Sequence, residues 1–90
     1  MQVRKRNGET IPFKKEKIVR VLELAGLTPV ESQNLATQLE TWANSQAING
    51  IIEARELKRQ LIQIAPPETA QKIKEFVRKR RLQKRSRYTS

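Results

Sequence analysis

Apolar residues recur at helical spacing in four blocks of this chain. Ile18, Val21, Leu22 and Ala25 fall three and four apart with charges between them, which predicts a helix burying one face. Gly26 is placed to stop it. Thr28-Pro29-Val30-Glu31 opens a second helix: Thr28 can cap, Pro29 suits the first helical position, and Glu31 completes a capping box. Its stripe of Leu35, Leu39, Trp42 and Ala43 runs to about residue 46. A third helix starts near Glu53 or Ala54 and turns Leu57, Leu61 and Ile64 inward. Ala65-Pro66-Pro67-Glu68 ends it, because a residue before proline avoids the helical region. The same prolines suit the start of a fourth helix, striped by Ala70, Ile73, Phe76 and Val77 and extending toward Leu82.

The first residues follow a different pattern. Two short strands, over 2–6 and 9–13, flank Asn7-Gly8, the dipeptide favoured in two-residue hairpin turns where both residues take positive φ. Pro12 cannot donate to a ladder, so the second strand is expected at an edge. Asn49-Gly50 marks another turn, and the β-branched pair Ile51-Ile52 is expected to add a third strand beside the hairpin. The predicted class is therefore α+β: a four-helix bundle capped by a small N-terminal β-hairpin or three-stranded sheet, the hairpin a lid over one end.

Ninety residues suffice for one small core. Nineteen basic and nine acidic residues give a net charge of +10, which steers polyanions toward the surface without choosing among them. With no cysteine and no histidine, disulfides and the usual zinc sites are excluded. All nine acidic residues are glutamates, scattered from Glu9 to Glu75, and no nucleophile sits beside a base. The expectation is no catalytic residue, no metal site and no enzyme. No Gly-x4-Gly-Lys-(Ser/Thr) loop occurs. The start lacks the apolar core of a secretory signal, and no run approaches the roughly 20 apolar residues of a membrane span. A soluble, cytoplasmic protein is expected.

Val3-Arg4-Lys5-Arg6-Asn7-Gly8, then Phe13, then Lys17-Ile18, resembles the opening signature of the ATP-cone domain. Gly50, Ile52 and Arg55-Glu56-Leu57 are similar to the segment that opens that family's third helix. The resemblance covers roughly residues 2–80. ATP-cones occur in ribonucleotide reductase large subunits and in a zinc-ribbon repressor of reductase genes, where they bind ATP or dATP as an allosteric signal. Such a likeness implies a cone domain over 1–80, standing alone. Its ligand would be ATP or dATP, with or without Mg²⁺, and it would signal through shape, homo-oligomerisation or a protein partner. It also implies a phosphate clamp of Lys5, Arg6 and Lys17, with main-chain groups around Val3 and Arg4 meeting the base. Strand alternation would send Lys5 and Arg6 to opposite faces, so a shared phosphate requires a ligand at the strand's edge or end. The chain departs from the family pattern at Lys14, often Asp or Asn, at Ala54, often a hydroxyl residue, and at Lys58, sometimes His. Lys58 would bring a charged donor to the site.

Residues 78–87 hold seven cations, Arg78, Lys79, Arg80, Arg81, Lys84, Arg85 and Arg87, with Leu82 the one apolar side chain. They suggest a basic, disordered C-terminal tail over 81–90, since nothing there would anchor it. The competing reading is a small nucleic-acid-binding protein that uses this tail, largely without regard to sequence. A third reading is an adaptor with no ligand of its own. The scarce aromatic residues, Phe13, Trp42, Phe76 and Tyr88, argue against stacking platforms, and Trp42 belongs on the core stripe.

Overall fold

The computed structural model describes residues 1–89, with side chains through residue 79; the expected tail over 81–90 lies outside the described side chains. Along the chain run β1 (Gln2–Arg4), β2 (Thr10–Pro12), α1 (Lys15–Leu24), α2 (Pro29–Gln46), β3 (Ile51–Glu53), α3 (Ala54–Ile64) and α4 (Pro67–Thr89). The expected class, α+β with a four-helix bundle and a three-stranded sheet, is what forms. β1 lies in the middle of the sheet, antiparallel to β2 and parallel to β3.

The hairpin differs from its prediction in one respect. Asn7 does not take positive φ; Gly8 alone does, at +88°. Gly8 N–H donates to Lys5 O at 3.0 Å and Lys5 N–H to Glu9 O at 2.7 Å, so the loop has three residues, Arg6-Asn7-Gly8. Glu9 N–H also donates to Asn7 Oδ1 at 3.0 Å, which holds the turn. The register explains the choice. Val3 pairs with Ile11, and both reach the core. A two-residue loop would place Val3 against Pro12, which has no N–H, and would flip Ile11 to the other face. The strands are correspondingly shorter than the expected 2–6 and 9–13. At Asn49-Gly50 both residues do take positive φ, 54° and 75°, and Ile48 and Ile51 exchange two backbone bonds across the turn.

The helices follow their sequence signals closely. α1 ends in a Schellman arrangement, with Gly26 N–H donating to Glu23 O at 3.0 Å and Leu27 N–H to Leu22 O at 3.1 Å. The capping box of α2 is complete: Glu31 N–H donates to Thr28 Oγ1 and Thr28 N–H to Glu31 Oε1. Ala65 is extended before Pro66, as predicted. α1 packs on α2, α2 on α3, and α4 on both α3 and α1. Leu22, Leu39 and Ala43 are fully buried, with Val3, Ile52, Leu57, Leu61, Ala70 and Ile73 around them. Trp42 packs half-buried against this core. Ser32 and Ala36, absent from the predicted stripe, are more deeply buried on α2 than Leu35.

Candidate functional site

The site is framed by the central strand. Val3 faces inward, so Arg4 faces the other side of the sheet, where it meets its register partner on β3. Arg4 Nη1 donates to Glu53 Oε1 at 3.1 Å across the parallel pair. Glu53 stands at the N-cap of α3, yet its side chain makes no cap, because the carboxylate goes to Arg4 instead. Parallel pairing also fixes geography. β1 and β3 end at the same edge of the sheet, so Lys5, Arg6 and the first residues of α3 share one end.

Strand alternation stops at Arg4. Lys5 closes the hairpin loop and Arg6 is its first residue, so both stand at the end of β1. Both are exposed, and neither has a side-chain hydrogen bond or ion pair among the described residues. β1 has a neighbour on each side, so its main-chain groups are used in two ladders. A carbonyl there can still accept a second hydrogen bond through its other lone pair.

Lys17 sits in the first turn of α1, exposed and likewise without a side-chain partner among the described residues. The helix starts two residues after β2, at the end of the sheet where Phe13 N–H donates to Met1 O. Its N-cap, Lys14, offers no side-chain acceptor, so the positive dipole end of α1 has no side-chain cap, although Lys17 N–H donates to Lys14 O at 3.2 Å. Lys17 and the Lys5/Arg6 pair thus mark opposite ends of the sheet. Three-residue strands at about 3.3 Å per residue make that sheet only about 10 Å long.

Lys58 lies elsewhere in the arrangement. It lines a shallow cleft between α3 and α4 with Ile62, Lys74, Val77 and Arg78. The structure therefore joins a residue expected at the nucleotide, Lys58, to one expected in the nucleic-acid tail, Arg78. Lys79 beside it is exposed. Arg80, Arg81, Lys84, Arg85 and Arg87 belong to α4, but their side chains lie outside the described residues. Sequence reasoning missed Lys74 and Glu53. Lys74 stands four residues before Arg78, a same-face spacing that could have flagged it. No local signal could have found Glu53, whose role depends on a parallel pairing between strands far apart in sequence.

Among the described residues no group of three or more Cys, Asp, Glu or His side chains is placed to hold a metal ion. No helix there is long and apolar enough to cross a membrane. No curated protein matches the chain. The ATP cone domain model matches it over residues 1–87, nearly its whole length, and the chain therefore belongs to the ATP-cone family of nucleotide-binding, non-catalytic regulatory domains.

Proposed function

We propose that this chain binds ATP or dATP along the sheet, from its hairpin end to the start of α1, and reports the bound nucleotide through its shape or self-association. The observation carrying the reading is the position of Lys5, Arg6 and Lys17. Three exposed cations, without side-chain partners among the described residues, stand at the two ends of a sheet short enough for one nucleotide to span. Lys5 and Arg6 grip phosphate oxygens at the strand end, and Lys17 adds charge beside the uncapped start of α1. The base lies along β1, against Val3 and Arg4, accepted by main-chain groups with spare hydrogen-bonding capacity. Mg²⁺ accompanies the triphosphate, and Lys58, in the α3–α4 cleft, lies apart from this site.

The chain acts in the cytoplasm as a sensor and not as an enzyme. Among the described residues its glutamates form no acid–base pair with a nucleophile, and the Arg4–Glu53 ion pair ties two strands together. Signalling requires that the nucleotide bind one conformational or assembly state more tightly than another.

Isothermal titration with Mg-ATP at physiological salt tests the binding. Saturable micromolar affinity is expected, and Lys5→Ala/Arg6→Ala/Lys17→Ala should lose it. Equal heats from both proteins would remove the assignment. Sedimentation with ATP, with dATP and without nucleotide tests the signal: one unchanging distribution of species and shapes would mean that the cone binds without reporting.

A further inference from the structure

α4 is out of proportion to the helices it packs against. It has 23 residues, against 11 in α3 and 10 in α1. At about 1.5 Å per residue that is roughly 35 Å of helix alongside partners of roughly 16 Å. Its buried positions, Thr69, Ala70 and Ile73, belong to its first two turns, and Phe76 and Val77 are half-buried. The seven cations follow directly. A bundle helix of the required length could end there; this one continues to Thr89.

At about 100° per residue, positions 78, 79, 80, 81, 84, 85 and 87 fall around the whole circumference of the helix. Several are spaced three or four apart, as 78 and 81, 80 and 84, or 81 and 85, where like charges oppose helix formation. Such a segment gains from a polyanion that neutralises it on several sides. A bilayer meets a helix from one side and rewards an apolar stripe, which Leu82 and Tyr88, six positions apart, do not make. The major groove of a duplex accepts a helix and presents phosphates from both walls. We infer that the C-terminal half of α4 is a nucleic-acid-binding element that seats in a duplex groove by contacts to the phosphodiester backbone, without base-specific readout. Lys74 and Arg78, which share the α3–α4 cleft, continue the basic surface back toward the bundle.

The test uses the full chain and two fluorescein-labelled DNA duplexes of unrelated sequence, read by anisotropy. Both should bind with similar affinity, falling roughly a thousandfold between about 50 and 200 mM salt. Arg81→Gln/Lys84→Gln/Arg85→Gln/Arg87→Gln should weaken binding more than tenfold and flatten the salt slope by about one unit per cation removed. A matched variant, Lys14→Gln/Arg20→Gln/Arg55→Gln/Arg59→Gln, removes the same charge from exposed positions on and beside α1 and α3 and should bind nearly as the parent does. Equal losses in the two variants would reduce the effect to net charge and overturn the assignment. So would absent binding at low salt, or tighter binding to phosphatidylserine vesicles than to either duplex.

Discussion

The corner between α1 and α2 and the surroundings of the small sheet are built on opposite principles. At the corner, orphan backbone groups find partners: the Schellman bonds close α1, the capping box opens α2, and Leu22 and Leu39 are sealed beneath. Around the sheet, α1 and α3 begin at opposite ends without a side-chain cap, and Lys5, Arg6 and Lys17 stand exposed without partners among the described residues. Stability is concentrated in the first region, and unspent charge in the second. A protein that only needed to fold would gain from capping α1 and α3 as well. Leaving their amides and the nearby cations open makes sense where an anion completes them.

Four variants probe this division. Leu39→Ala should have the largest effect, costing about 3 kcal/mol in denaturant unfolding through lost burial and a cavity. While folded, that variant should bind Mg-ATP as the parent does; a matching loss of affinity would mean that core and site are not separable. Lys5→Ala/Arg6→Ala/Lys17→Ala should do the reverse. It should weaken Mg-ATP at least a hundredfold, about 2.8 kcal/mol, while the unfolding midpoint stays in place. A large fall in that midpoint would show that these residues support the fold instead. Thr28→Ala should cost about 1 kcal/mol by removing the cap, again without touching the ligand. Ser32→Ala is the smallest change and has the opposite sign. Ser32 Oγ is fully buried without a hydrogen-bond partner, so its removal should stabilise the fold by roughly 0.5 kcal/mol. Destabilisation would point to a partner for that hydroxyl in solution.

The two Asn-Gly turns show how far local sequence reaches. The same dipeptide makes a two-residue turn at 49–50, where both residues take positive φ, and a three-residue loop at 6–8, where only glycine does. The dipeptide marks a turn in each case. Its type at the hairpin is decided by register, since only the longer loop brings Val3 opposite Ile11 on the core side. Ser32 gives the same lesson in reverse: a serine reads as solvent-facing, and only the approach of neighbouring elements to α2 buries it.

Sequence alone determined the order of elements, the caps, the stops at Gly26 and before Pro66, and most of the core, because each depends on contacts within a few residues. It placed Lys17 on α1, whereas Lys5 and Arg6, expected on a strand over 2–6, fall at the loop that follows the shorter β1. Tertiary structure alone decided that β3 runs parallel to β1, that Glu53 leaves its helix to hold Arg4, and that Lys58 shares a cleft with Lys74 and Arg78. Those outcomes join residues up to 49 positions apart, and no local propensity encodes which distant strand or helix will arrive beside a given side chain.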